Sequence, residues 1–528
     1  MTPAAPVRVP VSVSRPAAAG SRARPSWIRL CAALGAGVLT GLCFPPVGLG
    51  PVVLVALVPL LWAWRGARPA HAALYGFAYG VAAYVVVIPW IRYFGYVAIV
   101  PLVAVMAAAI AGVGALVAAY ARRGLASPFL TAAVWVVLEA LRGRFPFGGF
   151  PWADLGVALH AVPAARALAS VGGTLLVSFA VVAVNGLLLD LGLVLSDRTS
   201  RGTVRATVLA SVGLAGILVA TVVVDVTRFE PTTTGLLRVA LLQGDDEQLP
   251  LAEQVDQPLT EKHFALADRL QGDYDLIVFP ESSLDSDPEQ EPELRDRLVK
   301  LAQAHDAAVL VNARTPGDDG ESRNTNLLYT PAGKLQGTYS KQHLVPFGEY
   351  VPWRDGLSWL PALRQVPYDF QAGDRRTLFR AGGHRFESVI CFESAFGPLV
   401  RDTVRDGAEF VVVSTNNRSY QRSANSEQHL ALGQMRAAET GRALLQASVS
   451  GITAIIDPDG SAHHETGLFQ SRIVSTSVPT STGETLYVRF GDWVVLLSAI
   501  AMLAVTVVAI RRQVRDPIHG AALSSSAA

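Results

Sequence analysis

Three side chains that could cooperate in acyl transfer stand at the ends of short apolar runs. They are Glu281 in "YDLIVFPES" (274–282), Lys341 closing "NLLYTPAGKLQGTYSK" (326–341) and Cys391 in "FESVICFES" (386–394). A thiol attacks only as thiolate, so it needs a base, and a carboxylate such as Glu281 can supply one. Attack on a carbonyl builds an oxyanion, which a fixed ammonium such as Lys341 stabilises with help from backbone N–H groups. Each residue alone has a plainer reading. A cysteine on a buried strand is a small hydrophobe, a glutamate after proline is a turn residue, and a single lysine is a solvated charge. The chain has 3 cysteines, and Cys31 and Cys43 lie in apolar N-terminal sequence, so the polar region offers Cys391 no disulfide partner.

The elements that must hold these groups follow from the texture after "FEPTTTG" (229–235). "LLRVALLQG" (236–244), "YDLIVFPES", "AAVLVNAR" (307–314), "FESVICFES" and "AEFVVVSTNN" (408–417) are β-branched runs ending in polar residues. Helical stretches at 260–270, 291–304 and 425–446 lie between several of them. Alternation of that kind predicts an α/β domain with buried strands. Residues 326–341 read as a hairpin turning at Pro331–Ala332–Gly333–Lys334. In open α/β sheets reactive groups collect at the C-terminal ends of strands, where Glu281 and Cys391 both fall.

The rest of the chain has a different character. Its 528 residues call for at least two units. A net charge of +1 argues against a nucleic-acid partner recruited by bulk electrostatics. Charged residues reach only 16%, while AVILMFWYC make up 51%, a balance that predicts membrane spans. Apolar runs at 27–44, 51–64, 72–90, 95–120, 127–141, 167–193, 206–226 and 493–510 give eight candidate helices, the second and fifth of them short. The Arg-bearing leader followed by the first run reads as an uncleaved signal-anchor. Arginines gather in the leader, at Arg65 and Arg68, at Arg122 and Arg123, at Arg198, Arg201 and Arg205, and at Arg511, Arg512 and Arg515. With eight spans these segments share the cytoplasmic side. Residues 142–166, with "FPFGGFPW", dissent through Arg142, Arg144 and Arg166 and read as interfacial backbone on the outer side.

The expected organisation is therefore a disordered cytoplasmic leader (1–26), a membrane domain (27–226), an extracytoplasmic α/β domain (227–492), a closing span (493–510) and a cytoplasmic tail (511–528). Glu139, near the end of the fifth run, reads as a helix-end carboxylate reaching the interface, with a functional intramembrane role as the alternative. His463 and His464 follow the "DPDG" turn without metal-ligand spacing, and "AGGHRF" lacks the context of a phosphate loop, so neither calls for a metal or cofactor.

"FPES", "YSKQHLVPFGEYVP" and "CFES", in that order, resemble the nitrilase (carbon–nitrogen hydrolase) superfamily, which uses a Glu–Lys–Cys triad on an αββα sandwich. Set among membrane spans, the middle string is similar to that of the superfamily's membrane-embedded branch, the apolipoprotein N-acyltransferases. The likeness runs through "GFPW", "VALLQG" and the closing span. It implies Glu281 as general base, Lys341 as oxyanion stabiliser and Cys391 as nucleophile, with Glu349 a further essential carboxylate and Phe392 and Glu393 beside the nucleophile. It departs at Phe392, where tyrosine is common, and at "NNRSY" (416–420), where the family's Asn-Asp-x-Trp-Phe string has a tryptophan. These positions would line the substrate side.

The implied activity moves a fatty acyl group from a membrane phospholipid, through a cysteine thioester, to the α-amino group of a diacylglyceryl-cysteine at the N-terminus of an apolipoprotein. The implied place is the bacterial cytoplasmic membrane. The alternatives are a membrane-tethered amidase that transfers the acyl group to water, and a non-enzymatic membrane scaffold with a degenerate nitrilase domain. "YVPWRDGLSWLPALRQVPYDF" (350–370) is rich in Trp and Leu yet broken by prolines. It reads either as core or as a lid with a short helix over 357–364, presenting Leu360 and Leu363 to the outer leaflet.

Overall fold

A computed structural model describes residues 26–196, 201–244, 259–357, 359, 363 and 366–524. All but one residue of the expected leader, Leu360 and the last residues of the tail lie outside that set. Every one of the eight apolar runs is helical: Trp27–Gly41, the interrupted stretch Gly50–Trp64, Pro69–Val87, Tyr96–Ala121, Pro128–Arg142, Pro163–Ser196, Arg201–Val226 and Trp493–Ser524. Among the described residues, 5 contain a helix long and apolar enough to cross a membrane, namely Pro69–Val87, Tyr96–Ala121, Pro163–Ser196, Thr207–Val226 and Trp493–Arg511. Pro128–Arg142 has 15 residues, about 22 Å at 1.5 Å per residue against a hydrocarbon core of about 30 Å. Trp27–Gly41 is equally short, and prolines divide the stretch from Gly50 to Trp64.

Irregular backbone inside an apolar bundle must find its partners within the protein. Asn185 serves the stretch from Gly50 to Trp64: its Oδ1 accepts from Leu57 N at 2.9 Å and its Nδ2 donates to Val53 O at 2.9 Å. The helix Pro163–Ser196 breaks at Gly172 and Gly173, the latter at φ 74°. A Cβ on Gly173 would stand 2.7 Å from the Tyr487 ring, so glycine is required both by conformation and by space. The break frees Thr174 N, which donates to Glu439 Oε1 at 2.5 Å.

The arginines that ran against the charge pattern are each held by the protein. Arg142 pairs with Asp154 at 2.6 Å and donates to Phe150 O and Trp152 O. Arg144 pairs with Asp492, and Arg166 donates to Asp459 O at 2.8 Å and to His160 O. Glu139 lies inside the protein. It is buried, and its Oε1 accepts from Leu155 N at 2.9 Å, which fixes the turn Leu155–Leu159.

The polar half holds two six-stranded sheets. The first contains β1 (Thr232–Gln243), β2 (Leu276–Val278), β3 (Ala308–Pro316), β4 (Ser322–Tyr329), β5 (Leu335–Ser340) and β12 (Arg472–Thr482), in the order β12-β1-β2-β3-β4-β5. The second contains β6 (Phe379–Ala381), β7 (His384–Ile390), β8 (Phe410–Thr415), β9 (Leu444–Ser448), β10 (Ala454–Ile456) and β11 (Ala462–His463), in the order β11-β10-β9-β8-β7-β6. Alternation of side chains sorts the layers. Leu237, Val239 and Leu241 meet Phe386, Phe410 and Val412 between the sheets, while Ala240 and Leu242 face the helices Leu259–Ala267 and Pro292–Ala304. Val389, Val411 and Val413, on the outer face of the second sheet, belong to the same buried cluster as Trp90 and Trp152 of the membrane half. The architecture is the expected αββα sandwich with one outer layer fused to the membrane bundle.

One expectation needs correction. The helical stretch at 425–446 ends at Thr440, where Gly441 caps it at φ 64°, and β9 follows. Before the nucleophile a short helix spans Arg354–Leu357, and most of the helix expected over 357–364 lies outside the described residues.

The helix Asn425–Thr440 joins the halves, and every residue in it except Glu427 is buried. Gln428 Oε1 accepts from Trp90 Nε1 at 3.0 Å and Trp152 Nε1 at 2.8 Å, while its Nε2 donates to Pro45 O and Val87 O. In its last turn, Glu439 pairs with Arg436 at 3.0 Å and receives Thr174. Removing one member of a buried pair strands the other, typically at about 3–5 kcal/mol. Glu439→Ala is expected to lower the thermal unfolding temperature in detergent markedly, and Glu439→Leu with Arg436→Leu to recover much of the loss. An unchanged melting curve for Glu439→Ala would show that the joint lies elsewhere.

Candidate active site

Glu281 lies three residues beyond β2, Lys341 directly follows β5, and Cys391 directly follows β7. The first two therefore come from one sheet and the third from the other, and the structure brings all three to one end of the sandwich. Cys391 sits at φ 51°, unusual for a residue with a Cβ. That backbone turns β7 sharply into the short helix Cys391–Ala395 and leaves the thiol partly exposed. Such a conformation persists only when its surroundings over-determine it.

Those surroundings converge on two residues. Glu393, fully buried, accepts from Ile390 N at 2.8 Å, Gln342 N at 2.7 Å, His343 N at 3.0 Å and the Tyr339 hydroxyl at 2.9 Å. It thus ties the nucleophile's turn to the segment after Lys341, and burial pushes its carboxyl above the usual range. His429 is the second. Its Nε2 lies 3.1 Å from Cys391 O and 2.7 Å from Ser394 Oγ. Burial holds this imidazole down at about 4, so it is neutral near pH 7 and supports the turn as a hydrogen-bonding group.

Lys341 is 1% exposed, with Nζ 2.8 Å from Glu349 Oε1 and 3.3 Å from Glu281 Oε1. Burial alone would push the ammonium's pKa down. Glu281 and Glu349 outweigh it and hold the group well above its ordinary value. Glu349 spends its other oxygen on Val345 N at 2.8 Å. Both partners of Glu281, Lys341 and Asn324 Nδ2 at 2.8 Å, use Oε1, which leaves Oε2 to take a proton. Burial, and then the Glu281 carboxylate, push the Cys391 thiol up to about 12 against the opposing pull of Lys341. The resting group is therefore the thiol. Glu281 is the carboxylate that bears on it most strongly.

Several positions that matter are absent from the sequence expectations. Asn312 Nδ2 donates to Asn324 Oδ1 and Asn326 Oδ1, both at 2.8 Å. Asn324 Nδ2 also reaches Glu349 Oε1 at 3.3 Å, and Asn326 Nδ2 crosses to Ser388 Oγ on the second sheet at 2.6 Å. This asparagine relay aims the carboxylates and joins the sheets beneath them. Its trace in the sequence is asparagine inside apolar strands, at "VNAR" and "RNTNLL". The membrane half reaches the nucleophile as well. Phe150 stacks on Phe392 at 5.7 Å, Trp152 packs on His429 at 5.9 Å, and Phe147 meets Phe347 and Trp353 at 6.1 and 5.0 Å. "FPFGGFPW" thus forms part of the site's wall. In the divergent "NNRSY" string, Asn417 is buried against Asn425, and Tyr420 packs on Trp90 and Phe94 at 5.0 and 5.5 Å.

Residues 36–187 match the family model of the apolipoprotein N-acyltransferase N-terminal domain, and residues 238–486 match that of carbon–nitrogen hydrolase. A protein of Geobacter metallireducens is 31% identical over 502 residues, covering 90% of this chain and 94% of its own. One of Azotobacter vinelandii is 31% identical over 546 residues, covering 95% and 99%. Both are named apolipoprotein N-acyltransferase. Among solved structures, a CN-hydrolase superfamily protein of Xanthomonas campestris is 22% identical and covers 46% of this chain and 91% of its own, with a TM-score of 0.36.

Glu281→Gln separates two effects of the carboxylate. It removes the like charge that raises the thiol's pKa and leaves Lys341 to lower it, so the thiolate fraction at pH 8 should rise. Alkylation of Cys391 by iodoacetamide is expected to speed up several-fold, while turnover falls by about 10²–10³. Slower alkylation in the variant would contradict the electrostatics. Lys341→Met, by contrast, strands the buried Glu281 and the partly buried Glu349 and should lose stability together with activity.

Proposed function

Because the chain belongs to the apolipoprotein N-acyltransferase family, we propose that Cys391 carries a fatty acyl group from a membrane phospholipid to the N-terminal amine of diacylglyceryl-modified apolipoproteins. Lipoprotein N-acylation in a bacterial membrane is the activity of the family, and five apolar helices long enough to span agree with it. The observation that carries the finer reading is the convergence of Glu281, Lys341 and Cys391 beside aromatic side chains of the membrane half. An amidase acting on water-soluble substrates would need no such wall.

The cycle has two halves. In the first, Glu281 takes the thiol proton as Sγ attacks the donor's ester carbonyl, and Lys341 faces the developing oxyanion. Collapse expels the lysophospholipid alkoxide, which recovers the proton from Glu281, and leaves a thioester. In the second, the α-amine attacks the thioester carbonyl and Glu281 takes its proton. The amide forms, and the departing thiolate is reprotonated. Glu349, with both oxygens engaged, holds Lys341 and shapes the loop from Val345 to Glu349. Glu393 and Phe392 position the nucleophile's turn.

Residues 227–492 act outside the cytoplasm in this reading, with both termini inside. The basic loops support that orientation, and so does the internal engagement of Arg142, Arg144 and Arg166, which removes their weight as topological signals. Trp353, Trp359 and Tyr368 are 75%, 73% and 75% exposed, which supports a lid resting in the outer leaflet over a core role for 350–370.

Mass spectrometry of a lipoprotein N-terminus tests the function directly. Cells with the wild-type chain should yield N-acylated diacylglyceryl-cysteine, and cells with Cys391→Ala the free amine. Free fatty acid with no N-acylated product would favour hydrolysis. For the topology, a reporter active only in the cytoplasm should work at residue 528 and fail near residue 320. For the lid, Trp353→Ser with Trp359→Ser should slow turnover of bilayer phospholipid far more than that of a short-chain soluble ester, and equal losses would contradict it.

A further inference from the structure

β3 presents its residues alternately to the helices and to the space between the sheets. Val309, Val311 and Ala313 face the helices. Ala308 and Leu310 lie in the core between the sheets, and Asn312 feeds the relay to Glu281. The next residue on that inner face is Arg314, exposed at the same end of the strand as the triad and paired in register with Asn324. A guanidinium here stands one residue outward from the groups that aim the catalytic base.

Arg314 has no acidic partner among the described residues. Its guanidinium lies over the face of Phe370, 4.9 Å from the ring centroid. Beside it opens a cavity of about 130 Å³ lined by Ser322, Gly348, Val366, Pro367, Tyr368, Asp369 and Phe370 along with Arg314 itself. That is many times the space one water requires. The single carboxylate in its wall, Asp369, is neutralised by Arg354 Nε at 3.0 Å and capped by Val351 N at 2.9 Å, so the cavity's uncompensated charge is positive. Its walls connect directly to the active site, since Phe370 N donates to Glu349 O at 2.8 Å and Gly348 precedes Glu349. The exposed Tyr368 stands in the same wall.

We infer that Arg314 and this cavity form the subsite for the phosphate of the acyl-donor phospholipid. The inference rests on the phospholipid as donor, proposed above. A phospholipid has an anionic phosphate a few bonds from the ester that Cys391 must reach. A planar guanidinium can grip two phosphate oxygens at once, and Ser322 offers a hydroxyl in the same wall. Exposed aromatic side chains at the rim suit a lipid that remains partly in the leaflet. The acceptor amine carries positive charge before it reacts, so an unpaired arginine discriminates in favour of the donor.

The test measures acylation of Cys391 in the full-length protein by phosphatidylglycerol and by a phosphate-free ester, p-nitrophenyl palmitate, in the same detergent. In Arg314→Met the ratio of the two rates should fall by about 10–100-fold, the worth of a charge-assisted hydrogen bond, and Arg314→Lys should retain part of it. An unchanged ratio in Arg314→Met overturns the subsite, as does an equal loss with both donors, which would mark Arg314 as structural. If inorganic phosphate inhibits wild-type acylation as well as lysophosphatidylglycerol does, the cavity is a free-phosphate site and the lipid assignment falls. A wild-type protein that takes no acyl group from phosphatidylglycerol fails earlier, at the donor reading, and that result is distinct from the others.

Discussion

A lysine ammonium sealed from solvent between two carboxylates is the constraint on which the site depends. Lys341 cannot be buried as a cation without nearby negative charge, and Glu281 and Glu349 supply it at 3.3 and 2.8 Å. That requirement brings the end of β2, the end of β5 and the loop Val345–Glu349 to one point. The asparagine relay then satisfies the remaining hydrogen-bonding groups, so the carboxylates are aimed as well as paired. The chemistry follows from an imbalance in this cluster. Lys341 and Glu349 are locked into each other and the backbone, while Glu281 keeps one oxygen free and raises the pKa of the neighbouring thiol.

The turn at Cys391 is also supported from the membrane half. Gln428 and His429 are adjacent on one buried helix, and they face different tasks. Gln428 gathers Trp90, Trp152 and two backbone carbonyls of the membrane half, while His429 meets the carbonyl of Cys391. A shift of the membrane helices would therefore be felt at the strained turn that presents the thiol. Phe150 against Phe392 adds a second contact of the same kind. The fusion of the outer layer of the sandwich with the membrane core explains why a catalytic domain built like a soluble one is buried along one side.

Much of this was legible from the chain. β-branched runs ending in polar residues located β1, β2, β3, β7 and β8, and the turn Pro331–Lys334 joins β4 to β5 as read. The placement of Glu281, Lys341 and Cys391 at strand ends was legible because each closes such a run. β9 was hidden because "LLQAS" follows a helix after only a few residues, and its single signal was Gly441 as a cap. β12 alternates weakly between apolar and small polar residues, so its period carried little contrast. The relay through Asn312, Asn324 and Asn326 could not be read, since the sequence does not say which face of a buried strand meets the other sheet. Long-range partners such as Trp90 and Gln428 leave no local trace at all. The interruptions of the second apolar run were hidden for a related reason: apolarity continues through Pro51 and Pro59, whereas Gly50–Trp64 is divided into short helical pieces.

The central claim is that Cys391 is acylated as an obligatory intermediate. The most direct measurement incubates the purified protein with phospholipid in the absence of acceptor and follows the mass of the peptide containing "VICFES". One acyl group per chain should appear there, be cleaved by neutral hydroxylamine, and transfer fully to a diacylglyceryl-cysteine peptide added later without further phospholipid. Product formation with no adduct on Cys391, or an adduct that the peptide amine cannot discharge, would contradict the account.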